Sequence, residues 1–339
     1  MKRKIRTGII ASIGLILMIL DTKTAITGAQ EGIRLCCMTV IPSLLPYIFL
    51  SNLLTSVLAG VTCRPLRVLG RLFRMPSGSE GLFLIGALGG YPTGAQAVAN
   101  CCREGALSKT DAERLLGFCS NAGPSFLFGM AAFHFESKWV PFLLWLIHLV
   151  GAALVGISLP GSSSRETQLK SVPTLTYTEA LKRAVMAMAQ ICGWILLFRI
   201  LLTILDRWFL WCLDEDIRIL LTGVTELANG CSSLSGIDNT GLRFILCAGF
   251  LGFGGICVAM QTASVVGDIG FGMYLWGKSL HGLYSMILAY ILQLFLLPQE
   301  QRAENGLLIL VICGMLIAIC LLLLQKREKR CSIPDCVGV

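Results

Sequence analysis

Apolar stretches of eighteen residues or more recur from one end of this 339-residue chain to the other. That feature constrains the fold more than any other, because such a run fits a bilayer-crossing helix and is too long for an ordinary core element. Composition agrees. The chain is 55% hydrophobic and only 14% charged, against about 25% charged in a typical soluble domain. Disordered, collagenous, coiled-coil and secreted disulfide-scaffold classes are excluded on the same grounds. The expected fold is an all-α polytopic membrane protein.

About ten apolar segments can be placed, at 7–20, 33–57, 81–101, 115–133, 139–158, 184–205, 218–236, 243–265, 272–297 and 306–324. The chain opens MKRKIR before an apolar run ending at Leu20, which resembles a signal peptide. No A-x-A cleavage pattern follows, so an uncleaved first helix is expected. The longest polar interruption, 159–183, carries Pro160, Gly161, three serines and Pro173 and reads as a linker. The expected organisation is a first membrane repeat at 1–158, the linker at 159–183, a second repeat at 184–325 and a short basic tail at 326–339.

A five-plus-five arrangement invites a search for internal duplication. Gly86–Gln96 reads GALGGYPTGAQ and Gly249–Gln261 reads GFLGFGGICVAMQ, each in the third segment of its half. Both start G-x-L-G and reach a glutamine, so they are expected to be equivalent broken elements meeting near the membrane centre. Lys and Arg cluster between spans, as the positive-inside rule requires, so the net charge of +8 reflects loops and implies no nucleic-acid partner. The asymmetry is stronger if the third and eighth segments are re-entrant. Four crossings per half would make the repeats parallel and five would invert them, so orientation stays open.

Four segments look broken: GALGGYPTGA, FCSNAGPSFLFG (Phe118–Gly129), GVTELANGCSS (Gly223–Ser233) and AGFLGFGG. Non-helical backbone survives at membrane depth only inside protein or beside a water-filled cavity. Exposed amide and carbonyl ends there can hold a polar solute. The plain alternative is close helix packing through small residues.

Helical spacing gives three polar stripes: Glu226, Asn229 and Ser233; Gly117, Asn121 and Pro124–Ser125; and Lys278, His281 and Ser285. A Lys or Glu at the bilayer centre costs about 2.5–3.5 kcal/mol on insertion scales, so it should face the protein interior. Lys278 could instead snorkel to a surface, as could Arg199. His148 reads as a packed, hydrogen-bonded histidine. The expected solute-binding residues are Gly90, Tyr91, Pro92, Gln96, Asn121, Ser125, Glu226, Asn229, Gly254, Gln261, Lys278 and His281.

Nothing in the chain reads as an enzyme. The phosphate-binding G-x-x-x-x-G-K-[ST] loop, H-E-x-x-H and G-x-S-x-G are absent, and Gly267–Asp268 lacks the second aspartate of an intramembrane protease. The fifteen cysteines include no C-x-x-C, so they read as small hydrophobes, and neither metal nor cofactor is expected.

At its broken segments the chain resembles bacterial sporulation integral membrane proteins of the YlbJ type, in the nucleoside-recognition or Gate-domain group related to concentrative nucleoside transporters. The matching stretches are GYPTGAQ, the run from Ala112 through FCSNAGPSFLFG, GVTELANG, FGGICVAMQTAS (Phe253–Ser264) and WGKSLHG (Trp276–Gly282). Gln96 departs from the resemblance, which places a lysine there. The resemblance implies a doubled, nucleoside-transporter-like fold, a role in endospore formation at the cell or forespore membrane, and dipicolinate as solute. The expected function is a membrane transporter for a small organic anion, with a coupling ion, the lipid bilayer, other sporulation membrane proteins or further copies of itself as partners. A non-transporting sporulation scaffold and a nucleoside-binding protein are the competing expectations.

Overall fold

The computed structural model describes residues 2–58, 64–129, 135, 137, 139–161, 174–303 and 314. Among these residues the secondary structure is helical, with no strand. The first half runs through α1 (Lys2–Leu20), α2 (Thr22–Leu35), α3 (Ile41–Leu58), α4 (Arg64–Leu72), α5 (Gly81–Gly89), α6 (Thr93–Arg103), α7 (Lys109–Cys119), α8 (Pro124–Gly129) and α9 (Val140–Ser158). The second follows with α10 (Tyr177–Trp208), α11 (Glu215–Thr225), α12 (Leu227–Ser233), α13 (Thr240–Phe253), α14 (Gly255–Val266) and α15 (Gly272–Leu296).

Five helices among the described residues are long and apolar enough to cross a membrane: Thr22–Leu50, Val140–Ser158, Tyr177–Trp208, Thr240–Val266 and Gly272–Leu296. The expectation of about ten such segments is therefore reduced, for local reasons. Segments 81–101 and 218–236 are each folded into two short helices, and 115–133 is cut into α7 and α8. Residues 306–324 lie, save Gly314, outside the described residues, as does the tail 326–339. The 159–183 linker ends earlier than expected, because Thr176 starts α10 with a reciprocal cap in which its hydroxyl accepts from Glu179 N while the Glu179 carboxylate accepts from Thr176 N.

Burial separates an inner from an outer layer. In the most apolar eighteen residues of Thr240–Val266, 72% of the positions are buried, against 22% in those of Thr22–Leu50 and Tyr177–Trp208. The outer helices turn Ile26, Ile33, Leu50, Met186 and Leu197 outward, an apolar face suited to lipid and unsuited to water. Gly28 and Gly32 of α2 let α10 approach at Ile200 and Leu196. The inner helix α15 packs against α7, α9 and α13. Gly117 meets Gly277, and Gly252 meets Gly282, so that main chains touch without intervening side chains.

Candidate functional site

The first broken segment is a hairpin. In a continuous helix Gly86 and Gly94 would lie about 12 Å apart. Instead a Cβ on Gly94 would sit 2.7 Å from Gly86 Cα, so the chain doubles back between them. Gly90 makes the turn at φ +72, ψ −177, a region open only to glycine. Any side chain on Gly86 or Gly94 would strike the Cys119 carbonyl, which seats the hairpin on the end of α7. Helices α11 and α12 form a second hairpin by the same device, with Gly230 against the Gly223 backbone. Glu226 is its tip. Its carboxylate accepts from Ala228 N at 3.0 Å, Asn229 N at 2.6 Å and Asn229 Nδ2 at 2.8 Å, capping α12.

Two further elements are interrupted without reversing. Between α7 and α8 the backbone extends at Ser120, and between α13 and α14 it passes through Gly254 at φ +83 and Gly255 at φ +82. Segments 86–96 and 249–261 therefore differ in shape, one a hairpin and the other a kinked span. They do meet. Tyr91 Oη donates to Leu251 O at 3.2 Å, and a Cβ on Gly254 would lie 3.2 Å from the same hydroxyl.

A cavity of about 50 Å³ lies between the hairpin tips, walled by Gly90 and Tyr91 on one side, Glu226 and Ala228 on the other, and Gly123 and Gln261 between. Leu44 and Ile48 of α3 and Ile191 and Ile195 of α10 also line it. That volume accommodates water and no organic solute. Two larger spaces flank it. One, of about 350 Å³, is lined by Asn52, Pro92, Thr93, Gln96, Asn100, Arg183 and Gln190, with Glu104 its acid. The other, of about 450 Å³, is lined by Glu31, Arg34, Met38, Thr39, Arg199, Asn229 and Ser232.

The order of these spaces follows from the two outer helices. Along α10, Arg183 and Gln190 face the first, Ile191 and Ile195 the cavity, and Arg199 the last. The separation from Arg183 to Arg199 is about 24 Å of helix. The chain from Met38 to Ser56 passes the same three in reverse, with Ile48 shared by the cavity and the 350 Å³ space. The spaces are thus stacked along α3 and α10, each outer one beside its own hairpin.

Lys278 lies behind the Tyr91 ring, away from the cavity wall. It is 1% exposed, so it does not snorkel. Its Nζ donates to Ser120 O at 3.0 Å, contacts His281 Nδ1 at 3.1 Å and lies 4.9 Å from the Tyr91 ring centroid. His281 Nε2 is 2.8 Å from His148 O, and His148 Nε2 accepts from Ala122 N at 3.0 Å. The two imidazoles lie 4.4 Å apart. This cluster supplies the hydrogen-bond partners that the α7–α8 interruption cannot find within a helix.

The expected site residues thus fall in different places. Gly90, Tyr91, Glu226 and Gln261 line the cavity; Pro92 and Gln96 line the 350 Å³ space and Asn229 the 450 Å³ space. Lys278 and His281 sit behind the wall, and Gly254 makes room for Tyr91. Asn121 is buried with Nδ2 on Phe118 O and Oδ1 without a partner, and it lies in the interruption, so the Gly117–Asn121–Pro124 stripe is not one helical face. The Ser125 side chain is outside the described residues. Arg199 pairs with Glu31 at 2.7 Å and donates to Asn229 Oδ1 at 3.3 Å, where snorkelling was one expectation. Sequence reasoning missed Arg183, Asn52 and Gly123; only the glycine beside Pro124 offered a local signal. Among the described residues no group of three or more His, Cys, Asp or Glu side chains could hold a metal ion.

No family model matches the chain. No solved structure matches it either. The membrane-spanning helices and a curated homologue together make this an integral membrane protein. That homologue, the sporulation integral membrane protein YlbJ of Bacillus subtilis (strain 168), is 27% identical to the chain over 341 residues, covering 85% of this chain and 83% of the relative.

Proposed function

We propose that the protein is a transporter for a small polar solute, working in the membranes of a sporulating cell. The observation that supports this most directly is the stack of three spaces along α3 and α10, with the smallest lying between two hairpin tips. A narrow centre flanked by a larger space on either side suits a state between two access directions. A scaffold would have no use for broken helices there. The sporulation context comes from the name of the relative.

The same reading takes the chain as two inverted halves. Each would consist of an outer helix, a hairpin, an interrupted helix and an inner helix, namely α3 to α9 and α10 to α15. Supporting it are the paired Gly86–Gly94 and Gly223–Gly230 contacts and the paired interruptions at Ser120–Gly123 and Gly254–Gly255. Three crossings per half invert the second relative to the first, as in many secondary transporters. This replaces the pairing of 86–96 with 249–261 by one of hairpin with hairpin. A doubled fold is also what the resemblance to the nucleoside-recognition group implies.

An organic anion such as dipicolinate fits best beside Arg183, Gln96 and Asn100 in the 350 Å³ space. Glu226 favours a second reading, a neutral nucleoside-like solute, because it is the charged side chain on the central cavity wall. Uptake of labelled dipicolinate and of nucleosides into proteoliposomes, with and without ion gradients, decides between them. Failure to take up any of these solutes would return the scaffold reading.

A further inference from the structure

We propose that the Lys278–His281 pair is a proton-binding site that couples solute passage to proton movement. This rests on the transport reading above. The inference starts from what surrounds Lys278 Nζ. Its partners are the Ser120 carbonyl at 3.0 Å, His281 Nδ1 at 3.1 Å and the Tyr91 ring face at 4.9 Å, and all three are electron-rich. An ammonium has three hydrogens and can satisfy all of them.

The tautomers follow from the hydrogen bonds. His148 O can only accept, so His281 Nε2 carries a hydrogen and Nδ1 presents its lone pair to Lys278. His148 Nε2 accepts from the Ala122 amide, so a proton there would oppose that amide, and His148 stays neutral as an orienting group. One exchangeable proton remains, shared between Lys278 Nζ and His281 Nδ1. When it leaves, the amine still has two hydrogens for Ser120 O and His281 Nδ1. Only the contact with Tyr91 is given up.

Tyr91 forms the first hairpin's tip and part of the cavity wall. Proton binding therefore grips the hairpin tip, and proton release frees it. The groups facing the pair are Tyr91 from the hairpin, Ser120 from the α7–α8 interruption and His148 from α9; Ser285 Oγ lies with His281 against Gly151, and the Tyr274 hydroxyl bonds Thr262. None is acidic. Among the described residues no carboxylate makes an ion pair with Lys278, and Glu226 is engaged by three N–H groups of its own hairpin.

A buried cation without a counter-charge is unfavourable by itself. A carboxylate anion that reaches the Tyr91 face once the hairpin tips part, and the cavity between them widens, would supply that charge, so anion and proton favour each other's binding. The proton comes from water on the entry side, adds to the amine lone pair, and returns to water on the exit side as the anion leaves.

The test uses the full chain in liposomes carrying a trapped pH dye, with dipicolinate as probe. An acid-outside gradient should raise the initial uptake several-fold over symmetric pH, and solute entry should acidify the lumen. Lys278→Met should lose this response to the gradient. His281→Gln, which keeps a donor for His148 O and leaves the lysine in place, should weaken it. Wild-type uptake indifferent to the gradient, or Lys278→Met retaining the acid response, overturns the coupling while transport itself stands. No uptake under any gradient overturns the transport reading and this proposal with it.

Discussion

Arg199 of α10 holds Asn229 of α12 at 3.3 Å with one nitrogen and Glu31 of α2 at 3.0 and 2.7 Å with the two others. The second hairpin is thereby tied to the outer helices at one side chain, one residue pair away from Glu226. Because the pair is partly exposed, its worth in stability is at most about 1 kcal/mol. Arg199→Gln should therefore leave the thermal midpoint in detergent nearly unchanged, yet alter solute flux, because it loosens the hairpin facing the 450 Å³ space. Equal loss of melting temperature and flux would show that Arg199 is only a structural tie.

The first hairpin should be intolerant where its strands of backbone touch. Gly94→Ala places a methyl against the Cys119 carbonyl, where nothing flexible can yield. Overpacking of this kind costs about 1–3 kcal/mol. Gly193→Ala, at a site with open space around it, is the control and should be neutral or slightly stabilising. Heating both variants and following the monodisperse fraction by size exclusion compares them directly.

Glu226→Gln tests what the cavity prefers. It removes one charge while keeping size and one oxygen acceptor, and weakens the cap on α12. If anions are carried, their uptake should hold or rise once the negative charge is gone. If nucleosides are carried through contacts with that carboxylate, their uptake should fall instead. Parallel flux assays on the two solutes read the difference.

Replacing Lys278 should separate folding from function. Lys278→Met exchanges a buried amine for an apolar chain of similar length, so stability should be unchanged or improved. Dicarboxylate uptake should drop strongly. Lys109→Met, at the exposed start of α7, should leave both quantities alone. A Lys278→Met protein that melts far below the wild type would instead make the lysine a structural plug for the α7–α8 interruption.

The helical, membrane-embedded class was legible because apolar run length depends on composition alone. The glycine and proline clusters also gave the location of all four interruptions. Their shapes were not legible. A hairpin at Gly90 and a kink at Gly254 differ by which backbone the glycines touch, Gly86 with Gly94 in one and Gly252 with Gly282 in the other, and that is a matter of tertiary contact. The Lys278–His281–Ser285 stripe could be read from spacing on one unbroken helix. Its partner His148, 133 positions from His281, could not. Arg183 was hidden for a similar reason, since it faces a polar space only because α10 lies across the first hairpin.

The central claim is that solute crosses between the two hairpins, and zero-trans uptake of labelled dipicolinate by the purified protein in liposomes tests it most directly. Saturable wild-type uptake, competed by unlabelled solute and strongly reduced in Lys278→Met at matched reconstitution, is the expected result. Protein-containing liposomes that take up dipicolinate and nucleosides no faster than empty ones, under every ion gradient tried, would contradict it.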